Sequence, residues 1–263
     1  MILYKAHGLG NDYLVLERGP ALDPDLARAL CDRHRGPGGD GVLEPLPAVG
    51  AYGVRIWNPD GSVAERSGNG LRIYAWWLRR FRGAPSAFAI EVAGDRVAAE
   101  VDGLDVAIDF GRARFDAGQI PVDVARIDAP LDPGGPPVVT VGMGNPHCVL
   151  LRGEPDLDAL PWREWGRAIE RHPAFPNRTN VQVARVVGPG KLEARIWERG
   201  AGETLASGSS ACAVAAAAVR DGRIPPGRVE VQMPGGSLWV DVGPAFEITL
   251  RGPVGPVGRF ELA

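Results

Sequence analysis

RIWNPDGSVAERSGNGLRIYAWWL at residues 55–78 and RIWERGAGETLASGSSACAVAAAA at residues 195–218 decide the fold. Laid on one another without a gap, Arg55-Ile56-Trp57 answers Arg195-Ile196-Trp197, and Ser67-Gly68 answers Ser207-Gly208. A looser echo precedes each stretch, because Gly10-Asn11 and Val15-Leu16 return as Gly144-Asn145 and Val149-Leu150. Matches in the same order in both halves mark a two-fold internal repeat.

Each copy reads alike. Short alternating runs bounded by Gly, Pro and Asp predict strands: YGVRIW, FAIEV, VAAEV and VAIDF in the first half. VVTVG, HCVLL, VQVARVV, KLEARIW, VEVQM, SLWVDV and AFEITL follow in the second. One main helix interrupts each set. The first is expected over Asn69–Arg82, with Leu71, Ala75, Leu78 and Phe81 in contact, basic residues at its carboxyl end and Gly83 as its stop. The second is expected over Ser209–Arg220, where ACAVAAAAV has no polar face and predicts a helix enclosed by strands. Smaller helices are predicted at Pro24–His34, capped by Asp23, and at Trp162–Arg171. The class is α/β of the α+β type, with two pseudo-symmetric domains over 1–116 and 117–263. The change is placed near Asp116–Gly118, with a carboxyl-terminal strand near 254–263 joining the first domain. The proline-rich LDPGGPP at 131–137 reads equally as a linker or, since strand signals resume directly after it, as a surface loop inside the second half.

Composition narrows the function. The 263 residues include 36 Gly and 24 Pro without a collagen-like period, and 45% are hydrophobic, which fits many strands and tight turns. Three Cys argue against a disulfide-built secreted scaffold and for a reduced, cytoplasmic protein. A net charge of -3 removes the bulk electrostatic case for nucleic acid. The longest apolar run, Ala211 to Val219, is too short to span a bilayer, and the amino terminus shows no signal peptide. Lys5 and Lys191 are the only lysines, which weakens a Schiff-base cofactor, and the usual nucleotide and zinc motifs are missing. Neither a metal nor a cofactor is expected. The expected partner is a small molecule, and a homodimer stays open.

The repeat puts Ser67-Gly68-Asn69 and Ser207-Gly208-Ser209 at matching helix starts. Free backbone N–H groups and the positive end of the dipole make each start an anion site, and glycine lets a ligand come close. If both ends serve one carboxylate, the serines flank the ligand, and the geometry suits proton removal on one face of a Cα and return on the other. The plainer alternative is that both serines are ordinary N-caps.

Several ordered motifs carry a family resemblance. They are HGLGNDYLVLE at 7–17, DRHRGPGGDGVL at 32–43, NPDGSVAERSGNG at 58–70, MGNPHCV at 143–149, RTN at 178–180 and ERGAGETLASGSSACA at 198–213. Along essentially its whole length the chain resembles the diaminopimelate epimerase family. The resemblance implies two similar domains, each a mostly antiparallel sheet wrapped around a central helix, with the site in the cleft between them. It implies a cofactor-independent two-base inversion of LL-diaminopimelate to the meso form, in lysine and peptidoglycan synthesis. Binding roles carry over onto Asn11, Asn58, Asn145, Asn180, Glu198 and Arg199, mainly for the distal amino-acid end. Gly68, Asn69, Gly208 and Ser209 match the groups that hold the reacting carboxylate. A guanidinium such as that of Arg199 suits a carboxylate.

One departure stands against these agreements. The family has cysteine as base and acid where this chain has Ser67 and Ser207. A thiol is tunable toward neutrality, whereas a serine hydroxyl is a poor base without help. Three explanations stay open: serines that work with local help, His147 first and Glu198 or Glu203 after it; an installed Cys-to-Ser pair; or a pocket that binds without turnover or serves a different isomerase. Cys31, Cys148 and Cys212 read as buried packing residues.

Overall fold

In the computed structural model residues 1–120, 122, 131, 137–153 and 156–262 are described, and the chain falls into two units, Met1–Asp109 with Arg251–Ala263, and Phe110–Leu250. In the first, strand β1 (Ile2–Gly8) lies antiparallel to β2 (Asn11–Arg18), and helix α1 (Pro24–Cys31) follows. β3 (Val42–Leu46) runs parallel to β2, β4 (Tyr52–Trp57) antiparallel to β3, and β5 (Val63–Ala64) folds back on β4. Helix α2 (Gly68–Phe81) leads to β6 (Ala87–Val92), which joins β4 in parallel. The antiparallel β7 (Asp95–Asp102) and β8 (Asp105–Arg112) complete the set.

The second unit repeats that order element for element. β9 (Val139–Gly142) is antiparallel to β10 (Pro146–Arg152), and helix α3 (Trp162–Glu170) precedes β11 (Asn180–Gly188), parallel to β10. β12 (Lys191–Glu198) is antiparallel to β11, and β13 (Gly202–Thr204) folds back on it. After helix α4 (Gly208–Arg220), β14 (Gly227–Met233) joins β12 in parallel and β15 (Gly236–Val242) pairs with β14. β16 (Glu247–Pro253) ends the set, and β17 (Gly255–Glu261) pairs antiparallel with β1 in the first unit. The chain passes between units inside β8 and inside β16, so a continuous strand, with no shift in composition, carries each passage. Of the proline-rich stretch 131–137, all but Leu131 and Pro137 lie outside the described residues.

Local chemistry sets the two central helices. Two glycines in the first turn of α2 each cost about 1 kcal/mol of helix propensity relative to alanine. The Ser67 cap offsets part of that, and burial of every residue from Gly68 to Leu78 supplies the rest. Trp76, Trp77 and Tyr74 fill the space between α2 and its sheet. At the other end the Arg82 N–H returns to the Leu78 carbonyl at 2.9 Å, and Gly83 turns the chain at φ 68°. Phe81, expected in contact, is 41% exposed, yet its ring lies 4.8 Å from that of Tyr4. Helix α4 solves the same problem with methyl groups. Ala211 to Ala218 are fully buried, and the helix touches β9, β10, β11, β12, β14 and β15, the enclosure its apolar sequence predicts. Helix α1 stops at Cys31, short of the expected His34, because Asp32 is extended and its carboxylate accepts the His34 and Arg35 N–H groups instead.

Candidate functional site

The start of α2 is a wired polar cluster. Ser67 is extended (φ -138°), and its Oγ accepts the Gly70 N–H at 3.0 Å. The Tyr13 phenol oxygen lies 3.0 Å from the same Oγ. The N–H groups of Gly68 and Asn69 have no acceptor within the helix and face its positive end. The Asn69 side chain donates to Asn11 Oδ1 at 3.0 Å and accepts from the buried Arg72 at 2.7 Å. Asn11 in turn donates to Asp40 Oδ2 at 2.7 Å. A carboxylate only accepts and a guanidinium only donates, so Asp40 and Arg72 fix which way both amides point. Gly8 makes room for this, since a Cβ there would lie 2.8 Å from the Arg72 guanidinium. Asp12 is bound by Lys5 at 2.9 Å and by Arg33 at 2.6 Å. Burial resists its ionisation, but the hydrogen bonds from Arg33 and Lys5 outweigh that and hold it well below the usual carboxylate range. Asn58 lies just past β4, where its side chain holds Ser62 Oγ at 2.9 Å across the NPDG turn.

The start of α4 is built differently. Ser207 is also extended (φ -144°) and 95% buried, with 5% exposure, but its side chain makes no capping hydrogen bond. His147 is fully buried; its Nε2 meets Asn145 Oδ1 at 2.8 Å and its Nδ1 meets Gln182 Nε2 at 3.0 Å. The Gln182 amide donates to both His147 Nδ1 and Ser210 Oγ, which puts the imidazole proton on Nε2. Burial pushes His147 down to about 3, with the Gln182 hydrogen bond opposing and the Arg199 charge adding, so the ring is neutral near pH 7. Both ring nitrogens are therefore committed to Asn145 and Gln182, so neither is engaged with Ser207, the serine that His147 was expected to help. Gly208 is buried at the first helical position, with Ser209 half-buried after it.

The distal candidates sit at strand ends, Asn180 opening β11 and Glu198 closing β12, with Arg199 just past it. Asn180 donates to the Pro146 carbonyl at 3.0 Å and accepts the Arg199 N–H at 3.0 Å. The Arg199 guanidinium reaches the Asn177 carbonyl at 3.2 Å. Glu198 ends β12, opposite Gly202 in the hairpin. Glu203 is engaged by Arg163 in a two-pronged contact at 2.7 and 2.8 Å. Beneath them the buried Glu170 accepts from Trp197 Nε1 at 3.0 Å, from the Gly200 N–H at 2.9 Å and from Arg178. Burial disfavours its charge, but these donors hold its carboxyl below the ordinary value.

The whole-chain comparisons agree with this paired architecture. The family model described as "Diaminopimelate epimerase" matches residues 3–115 and 139–255. The diaminopimelate epimerase of Synechococcus sp. (strain JA-3-3Ab) is 42% identical over 97% of this chain and 95% of its own. This chain belongs to the diaminopimelate epimerase family. Two solved structures share the fold. A phenazine biosynthesis protein of the PhzF family from Bacillus anthracis has a TM-score of 0.73 at 15% identity, covering 100% and 99% of the two chains. A hydroxyproline epimerase from Agrobacterium vitis has a TM-score of 0.67 at 17% identity, covering 99% and 91%.

In this diaminopimelate epimerase family member the structure gathers the candidates into two sets. Asn11, Ser67, Gly68 and Asn69 come together in the first unit, with Asn58 engaged separately in its turn. In the second unit Asn145 and His147 join one network, which reaches α4 through Gln182 and Ser210, and Asn180 and Arg199 form another. Cys31, Cys148 and Cys212 are all buried; burial pushes the Cys31 thiol up to about 11 and that of Cys148 further, so neither is a ready thiolate. Tyr13, Asp40, Arg72, Glu170 and Gln182 escaped the reading of the sequence. One signal for Tyr13 was present: extending the Asn11/Asn145 echo by two residues sets Tyr13 against His147. Among the described residues no group of His, Cys, Asp and Glu is placed to hold a metal ion, and no helix is long and apolar enough to cross a membrane.

Proposed function

We propose that this chain is a cofactor-independent amino-acid epimerase that interconverts LL- and meso-diaminopimelate, as part of lysine and peptidoglycan synthesis. The observation that carries the reading is the same helix start, serine then glycine with open N–H groups, built once in each unit of a chain from this family. In this reading Ser67 and Ser207 exchange protons with opposite faces of the substrate Cα. The N–H groups at Gly68, Asn69, Gly208 and Ser209 take up charge as it develops on the carboxylate. Asn11, Asn58, Asn145, Asn180, Glu198 and Arg199 bind the substrate, mainly the ammonium and carboxylate of its far end. His147 acts by holding Asn145 in place, with its neutral ring hydrogen-bonded on both sides.

Incubation with either epimer in deuterated water, followed by chiral chromatography and mass spectrometry, tests this. The expected result is approach to a common LL/meso mixture with deuterium at Cα. No exchange by this chain, with tight binding and an active Ser67→Cys/Ser207→Cys variant, would replace the enzyme with a diaminopimelate-binding protein.

A further inference from the structure

We propose that Tyr13 and Ser67 form a hydroxyl dyad in which Tyr13 is the terminal proton acceptor and donor for the first unit's serine. This rests on the epimerase reading above and adds a catalytic group to it. Two hydroxyl oxygens stand 3.0 Å apart, and either can donate. If Tyr13 donates, Ser67 Oγ accepts twice, from Tyr13 and from the Gly70 N–H, and its own hydrogen is left for the substrate. If Ser67 donates to Tyr13, a lone pair on Oγ is left instead. Reversal of one hydrogen bond thus switches the serine between acid and base.

The phenol is seated for this task. Tyr13 is 7% exposed while Ser67 is half-buried, so of the two hydroxyl residues the serine is the more open to a ligand at the α2 start. Gly41 clears the seat, since a Cβ there would lie 2.6 Å from Tyr13 Cε1 and 2.5 Å from the Trp57 carbonyl. In the base direction Tyr13 is the phenolate. The Cα–H bond breaks and an O–H bond forms on Ser67 as the original Ser67 proton passes to Tyr13. The Cα electron pair moves into the carboxylate, whose charge the helix N–H groups meet. One negative charge leaves the phenolate and one appears on the substrate, so the step balances; the acid direction is its reverse. A free tyrosine titrates near pH ~10 and a serine far higher, so the dyad replaces an inaccessible alkoxide with a reachable phenolate.

Tyr13→Phe, made in the native chain and in a Ser67→Cys background, tests the dyad by diaminopimelate epimerase kinetics, with melting temperature as a check on folding. A thiol is a base without help. Tyr13→Phe is therefore expected to lower kcat about 100-fold in the native chain, within the range of general acid–base catalysis, with KM little changed. In the Ser67→Cys background the loss should shrink to under about threefold, and kcat/KM should reach its plateau at lower pH than in the native chain. Equal losses in both backgrounds, or none in either, would overturn the dyad. So would a native chain that is inactive beside an active Ser67→Cys/Ser207→Cys variant, although that result leaves the epimerase reading standing. If no variant turns over either epimer, the epimerase reading itself fails and the dyad goes with it.

Discussion

Around Ser67 the first turn of α2 carries Gly70, where an added Cβ would lie 3.1 Å from Leu43 Cδ2. At the corresponding places beside Ser207 the chain has Ser210 and Gln182, tied to each other and to a buried histidine. Tyr13 occupies the place that His147 fills in the second unit, yet the phenol reaches its serine and the imidazole does not. The same fold thus gives one serine a phenol and a backbone N–H as partners, and sets an amide–imidazole network on Ser210, one turn past the other. A repeat conserves backbone positions such as a helix start, while side chains one layer below decide what each copy can do with a proton.

The strongest way to expose the difference is acid. His147 is held near 3 when folded, against an ordinary value near 6.5, so between these limits the unfolded chain binds a proton that the folded chain refuses. Stability therefore rises with pH through that window and falls on acidification, by about 1.4 kcal/mol per unit below pH ~6.5, or roughly 3 kcal/mol at pH ~4.5. Urea unfolding from pH ~7 to ~4.5 should show this slope, and His147→Gln should flatten it, because the stability that paired carboxylates such as Asp12 and Glu170 contribute is lost mainly below about pH 4.5.

Converting one copy toward the other gives the next effect. Gln182→Leu copies Leu43 and strands His147 Nδ1 and Ser210 Oγ in the core, at a cost of about 2 kcal/mol in urea unfolding. An unchanged midpoint would mean that the network contributes nothing to the second unit. The smallest contrast lies in the serines themselves. Ser67→Ala removes a cap to Gly70 and should cost about 1 kcal/mol, while Ser207→Ala, with no cap to lose, should cost under about 0.5 kcal/mol. Equal losses would erase the asymmetry.

The repeat, the two central helices and most strands were legible because each rests on local periodicity and punctuation. The carboxyl-terminal strand expected near 254–263 is β17, although two glycines and a proline weaken its strand pattern and its partner β1 lies at the other end of the chain. The serine starts were legible from spacing. Their partners were not, since Tyr13 meets Ser67, and Asp40 meets Asn11, across separations that no window of sequence spans. Glu170 looks like one more polar residue on an amphipathic helix, and only tertiary packing places it under Trp197 and Gly200. His147 stood out in its motif, but its hydrogen-bond partner Gln182 did not, since a position on a buried strand offers no chemical cue.

Early-time placement of deuterium tests the two-serine account most directly. LL-diaminopimelate is incubated in deuterated water, and both epimers are recovered before a tenth or so of the substrate has converted. A base that holds one proton returns it to the face it came from, while the opposite serine delivers a solvent deuteron. The account predicts deuterium in the meso product and none in the recovered LL substrate. Deuterium in the recovered LL substrate at the same rate would show a single exchanging base, and would contradict it.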